Sequence, residues 1–249
     1  MAEYGYKKRS ASWNYGGPQW KLSRSKIDLF LNCPRCFYLD NKLGIKRPDT
    51  PPFTLNVAVD ALLKKEFDIH RAHKRPHPLM DTYGIDAVPF SHKDLEAWRH
   101  NFTGIQHIHK PTGLLVSGAV DDIWVNPAGE LIVVDYKATA KDGSIDKLED
   151  TKWHNQYRRQ MEVYQWLLRG KKFSVSDTGY FVYVNGKTDK ESFDGKLEFD
   201  VTIIPYTGSD AWIEDVLYDI HTCLESDTPP VPTKTCDYCS YIEAMSDVV

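Results

Sequence analysis

The sequence predicts an α/β core whose two chain ends are clasped outside it, and three observations carry that expectation. Segments with apolar residues at helical spacing alternate with short runs rich in β-branched and aromatic residues. One such run, Glu130 to Lys137 (ELIVVDYK), is apolar on both faces and ends abruptly in charge, the pattern of a strand buried within a sheet. Four of the five cysteines form two CxxC pairs near opposite ends of the chain, Cys33/Cys36 and Cys236/Cys239.

Taken in order, Ser23 to Leu31 reads as a short serine-capped helix that delivers Cys33 at its end, where Pro34 discourages continuation. Pro48, Pro51 and Pro52 mark a loop, and residues 55–73 carry apolar positions at helical spacing. Residues 74–112 are proline-broken, with one helix expected around Lys93 to Phe102. Leu114 to Asn126 is β-rich, Pro127-Ala128-Gly129 forms a hairpin turn, and the ELIVVDYK strand follows. A long helix is expected over 153–170 and strands over 179–184 and 196–204, with Asn185-Gly186 as a tight-turn signal. A helix over 209–225 and a proline loop lead to the second cysteine pair, while Cys223 reads as a small core residue.

The chain has 249 residues, 41% of them apolar and 27% charged, with seven Trp and fourteen Tyr. That is enough to build a real core and excludes a disordered or fibrous protein. No run approaches the roughly 18 apolar residues of a membrane span, and the N-terminus lacks an apolar leader, so a cytoplasmic protein without membrane contact or disulfides is expected. The net charge of −4 is uneven: residues 1–50 hold ten Lys/Arg against four Asp/Glu. Residues 1–20 read as a basic arm that alternates Lys7, Lys8 and Arg9 with Tyr4, Tyr6, Trp13 and Tyr15, suited to phosphate contact and base stacking, or as a solvated terminus. Residues 21–249 form the main domain.

Two CxxC pairs, in a compartment that disfavours disulfides, are the usual way to complete a four-sulfur site for zinc or an iron–sulfur cluster. The pairs lie 200 residues apart, so both ends of the chain must meet, and metal binding is then coupled to folding.

Asp-x-Lys occurs four times, at Asp40/Lys42, Asp135/Lys137, Asp150/Lys152 and Asp194/Lys196. Only Asp135 and Lys137 end a buried strand, and the two-residue period points both to one side. Gly118-Ala119-Val120-Asp121 places another carboxylate on the preceding strand. Two acids from neighbouring strands make a hard oxygen site of the kind Mg²⁺ or Mn²⁺ prefers, and such an ion lowers the pKa of its water and offsets charge on a phosphoryl oxygen. Lys137 is placed to orient the nucleophile or to stabilise the transition state. These residue types point to phosphodiester hydrolysis.

Gly118-x-x-Asp121, the strand ending Asp135-Tyr136-Lys137, and Gln160-x-x-x-Tyr164 on the next helix resemble the PD-(D/E)XK nuclease superfamily over about residues 21–243. The likeness is to its RecB-like branch of CRISPR-associated and AddB-type exonucleases. The resemblance implies a restriction-endonuclease-like mixed sheet flanked by helices. It further implies a metal held by Asp121, Asp135 and the Tyr136 carbonyl, a catalytic Lys137, and Gln160 and Tyr164 positioning water or DNA phosphate. It also implies a [4Fe–4S] cluster, usually on one N-terminal and three C-terminal cysteines; here Ala244 lies near the place of the last and Cys36 is the candidate fourth sulfur beside Cys33, Cys236 and Cys239, a two-plus-two division that suits zinc as well. Where the branch carries Gly-x-x-x-His on an early helix, this chain reads Asn56-Val57-Ala58-Val59-Asp60, so either Asp60 replaces the imidazole as an oxygen ligand or the site binds its metal less well or differently. His70 and His73 on the same helix are weaker candidates.

The helix from Lys152 to Lys172 carries six bases against Glu162, a face that would neutralise backbone phosphates. The leading expectation is a Mg²⁺- or Mn²⁺-dependent deoxyribonuclease, acting from ends or on single strands in repair, recombination or CRISPR-type processing, with a structural cysteine centre. The alternatives are a catalytically inactive nucleic-acid-binding module of the same fold and a zinc-clasped scaffold.

Overall fold

The computed structural model describes residues 8–48 and 54–246. In chain order its elements are a 3₁₀ turn Ala11–Trp13, β1 Leu22–Ser23, α1 Arg24–Asn32, α2 Pro34–Asn41, α3 Thr54–Ala72, α4 Pro78–Thr82, β2 Val88–Pro89, α5 Leu95–Arg99, β3 Ile105–His109, β4 Leu114–Gly118, β5 Asp122–Val125, β6 Leu131–Thr139, α6 Lys152–Gly170, β7 Thr178–Gly186, β8 Phe199–Thr207, α7 Trp212–Glu225 and α8 Asp237–Ser246. They fall into two compact units. One comprises Met1–Pro51, Ile108–Ser117 and Ala211–Val249, and the other Pro52–His107 and Gly118–Asp210.

The second unit holds a five-stranded mixed sheet in the order β2-β5-β6-β7-β8. β6 is central, antiparallel to β5 and parallel to β7, with α6 as the crossover. Its alternation explains why the sequence is apolar on both faces. Ile132, Val134 and Tyr136 join Phe67 and Leu63 of α3 in one core cluster, which also takes in Trp124 and Val182. Asp135, of the opposite phase, meets α6 on the other face. Phe67 is fully buried and stacks at 5.4 Å from Trp124, so truncating it to alanine costs about 3–5 kcal/mol.

In the first unit, β1 runs parallel to β4, pairing Leu22 with Val116. α1 ends at Asn32 just ahead of Pro34, as expected, but no loop follows, because Pro34 also begins the next helix. Cys33 is extended, and Pro34 opens α2 at its first position, where a missing amide hydrogen costs nothing. The first cysteine pair therefore lies at a helix–helix junction. Residues 8–20 pack on α2 rather than standing off it: Arg9 pairs with Asp40 at 2.8 Å, and the Trp20 indole donates to Asn41 at 3.1 Å. Tyr4, Tyr6, Lys7, Pro51 and Pro52 lie outside the described residues. Cys223 is only half-buried, beside the core face of Ile213, Leu217, Ile220 and Leu224 in α7.

Asn185-Gly186 closes no turn. β7 runs through Gly186, and the Asn185 amide ties down the loop after β6, donating to the Lys141 and Gly143 carbonyls at 2.9 and 3.0 Å. A side chain able to satisfy loop backbone groups can do so from within a strand as readily as from a turn. Among the described residues, no helix is long and apolar enough to cross a membrane.

Candidate functional site

The second unit gathers the carboxylates, the lysine and the amide around β6. Asp135 is fully buried, and the Lys137 ammonium forms an ion pair with its Oδ2. These residues lie within β6 rather than at its tip, which extends to Thr139. From α6, Gln160 Nε2 donates to Asp135 Oδ1 at 2.7 Å and to the Tyr164 hydroxyl at 3.0 Å, while its Oε1 accepts from Lys137 Nζ at 3.3 Å. The amide therefore holds the acid and the base in one orientation. Lys137 also lies 4.5 Å from the Tyr157 ring, a cation–π contact. Burial presses the Lys137 pKa down, but the negative charges of Asp135 and then Asp121 outweigh it, so the group remains an ammonium beyond the ordinary lysine range.

Asp121 reaches the same place from the bend just before β5, one residue short of the strand on which the sequence placed it. The antiparallel ladder pairs Asp122 with Val134, and one further step in that register aligns Asp121 with Asp135. Asp121 Oδ2 accepts the Tyr136 amide hydrogen at 2.9 Å. Gly118 of the same motif has its own reason: a Cβ there would lie 2.7 Å from the Tyr164 ring, which is 3% exposed and packs on the bare backbone.

Asp122 does something different from its neighbour. It is fully buried and accepts from Arg99 Nη2 at 2.8 Å, from the Tyr136 hydroxyl at 2.9 Å and from Arg71. Two guanidinium groups compensate one buried carboxylate, a structural ion cluster whose disruption costs about 3–5 kcal/mol. The Tyr136 side chain belongs to that cluster.

Asp60 projects from α3 toward this region and is paired with Lys64, whose ammonium lies 2.8 Å from Asp60 Oδ2 and 3.5 Å from Asp121 Oδ1. Burial and then the charge of Asp121 raise the Asp60 carboxyl above its ordinary range. Sequence reasoning missed Lys64, although its i,i+4 spacing from Asp60 was a readable signal. His70 and His73 turn their Nδ1 atoms to the Pro76 and Ile69 carbonyls at 2.8 and 2.7 Å. The basic face of α6 is partly spent: Arg169 pairs with Asp177 and Asp210, both at 2.6 Å.

Asp121 and Asp135 are two carboxylates on adjacent chain segments, the donor type that hard cations take together with water. Among the described residues, however, the four cysteines are the one group of three or more acidic, histidine or cysteine ligands within mutual reach; Asp60, Asp121 and Asp135 do not close into such a group.

The cysteine centre lies in the first unit. Cys33, Cys36, Cys236 and Cys239 place their sulfurs within 4.8 Å of one another. Burial presses the Cys33 thiol up, but hydrogen bonds from the Cys36 and Thr233 backbone outweigh it and hold its pKa at about 6. Arg47 Nη2 donates to Cys236 Sγ at 3.4 Å, and its guanidinium lies 4.5 Å from the Tyr238 ring.

A central strand carrying acid and lysine, in a five-stranded mixed sheet with helices on both faces, is a restriction-endonuclease-like arrangement. Residues 58–244 match the sequence profile of the PD-(D/E)XK nuclease superfamily, and the chain belongs to that superfamily. The chain is also similar to the protein in the crystal structure of SSO0001, at 14% identity and a TM-score of 0.43, over 90% of this chain and 84% of that one. Comparison with curated proteins gives no match.

Proposed function

We propose that this protein is a divalent-metal-dependent deoxyribonuclease. The observation that carries the reading is the convergence of Asp121, Asp135, Lys137 and Gln160 on one side of β6. Asp121 and Asp135 would hold Mg²⁺ or Mn²⁺, with the Tyr136 carbonyl as third ligand and Asp60 as a further oxygen. When bound, the ion supplies an activated water and offsets charge on the phosphoryl oxygens.

The chain's own residues do the rest. Lys137, held protonated by its two acidic neighbours, offers a fixed positive charge to the scissile phosphate. Gln160 keeps that ammonium and Asp135 in register, and the Tyr164 hydroxyl accepts its second amide hydrogen. Trp153, 69% exposed at the start of α6, provides a stacking surface for an unpaired base, which supports action on single strands or ends.

The test is a substrate panel of single-stranded, duplex and circular DNA, and RNA, with Mg²⁺, Mn²⁺ or EDTA. Cleavage of linear DNA that requires the cation and stops with EDTA is the expected result.

One observation favours the second reading, an inactive nucleic-acid-binding module. Lys64 lies between Asp60 and Asp121, and the three acids form no closed ligand group. Salt-sensitive DNA binding without cleavage under any divalent cation would select it.

A further inference from the structure

The resemblance in the sequence implies a [4Fe–4S] cluster at the four cysteines, but the sulfur positions do not fit one. Cys36 Sγ lies 3.5 Å from Cys239 Sγ and 3.6 Å from Cys236 Sγ, and Cys33 Sγ lies 3.8 Å from Cys239 Sγ. The remaining pairs fall within 4.8 Å. These are not disulfides, whose sulfurs sit at about 2.05 Å, and the cysteines are free.

A single tetrahedral ion with bonds of about 2.3 Å sets its sulfurs about 3.8 Å apart. In a cubane cluster each thiolate lies one bond outside its own iron, with four irons and four sulfides between them, so the thiolates must open well beyond single-ion spacing. The observed sulfur spacing, 3.5 to 4.8 Å, is that of a single ion and not of that core.

The local backbone gives the same answer. Cys33 caps α2 and Cys36 sits in its first turn; Cys236 immediately precedes α8 and Cys239 sits in its first turn. The Phe37 amide donates to the Cys33 carbonyl and the Ser240 amide to the Cys236 carbonyl, each at 3.0 Å. The two pairs are thus equivalent knuckles, each offering its sulfurs at the positive end of a helix, where thiolates are favoured. Two equivalent pairs meeting face to face build a tetrahedron.

We infer that Cys33, Cys36, Cys236 and Cys239 hold one Zn²⁺ ion, with Arg47 directing an N–H at Cys236 Sγ as its charge partner. The inference is independent of the carboxylate site, so it stands or falls apart from the nuclease reading.

The test uses the full chain, expressed with iron and zinc both available, purified without oxygen, and analysed for metals, acid-labile sulfide and visible absorbance. One zinc per chain, no labile sulfide and a colourless protein are expected. Iron at the site in any stoichiometry, labile sulfide, or no bound metal would overturn the inference. Arg47→Met tests the outer partner: zinc transfer to a competing chelator should become about 10- to 100-fold easier, with Arg47→Lys intermediate and far-ultraviolet dichroism unchanged. Unaltered transfer in both variants would remove Arg47 from the centre.

Discussion

The Tyr136 amide donates to Asp121 Oδ2 at 2.9 Å, which ties the carboxylate three residues after Gly118 to the stretch of β6 that carries Asp135 and Lys137. The bond separates the observed role of Asp121, an acceptor for the backbone, from its proposed one, a charge for a cation. Asp121→Asn keeps an oxygen acceptor and should unfold in urea close to the wild type, while its affinity for Mn²⁺ falls sharply. Asp121→Ala also strands the amide and should lose a further 1–3 kcal/mol or so of stability. Titration calorimetry with Mn²⁺ beside urea melts checks both; full cation affinity in Asp121→Asn would contradict the ligand role.

Gly118 and Tyr164 form a matched pair, since a Cβ on the glycine would meet the ring at 2.7 Å. Gly118→Ala should destabilise the protein by about 1–3 kcal/mol. A double-mutant cycle with Tyr164→Ala should recover on the order of 0.5–3 kcal/mol of coupling. Additive costs would show that the ring does not dictate the glycine.

Lys64 stands where a cation shared by Asp60 and Asp121 would compete with it, at 2.8 and 3.5 Å from their oxygens. Replacing it with methionine should tighten Mn²⁺ binding about fivefold, the equivalent of a partly exposed ion pair worth about 1 kcal/mol. Unchanged or weaker binding would show that the ammonium supports the site instead of competing for it.

The raised pKa of Lys137 has a defined sign. Above the ordinary lysine pKa the unfolded chain loses this proton while the folded chain keeps it, so the ion pair's contribution is fully present below that point and is lost as pH rises through the folded value. Guanidinium melts of wild type and Lys137→Met should therefore diverge less with each alkaline step beyond the lysine range. Parallel curves there would mean that Lys137 titrates normally.

Much of this was legible in the sequence because the relevant signals are local. Alternation placed Asp135 and Lys137 on one side of β6, helical spacing placed Gln160 and Tyr164 on one face of α6, and CxxC spacing named the four cysteines. What escaped depends on long-range packing. Asp122 is fully buried where Arg71 and Arg99 meet it, whereas Asp121 is not, and neither arginine is near Asp122 in sequence. Asn185 carried a turn signal, but the loop it secures lies about forty residues earlier, at Lys141 and Gly143. Pro34 was rightly read as a stop for α1, but a sequence does not say whether the same proline also starts the next helix, as it does for α2.

The central claim is that Asp135 and Lys137 act on DNA phosphate from one pocket. Single-turnover cleavage of an end-labelled oligonucleotide by wild type, Asp135→Asn and Lys137→Ala, with binding measured on the same samples, tests it most directly. Cation-dependent cutting by the wild type, lost at least a hundredfold in both variants while DNA is still bound, is the predicted result. Undiminished cutting by either variant, or none by the wild type with any divalent cation, would contradict it.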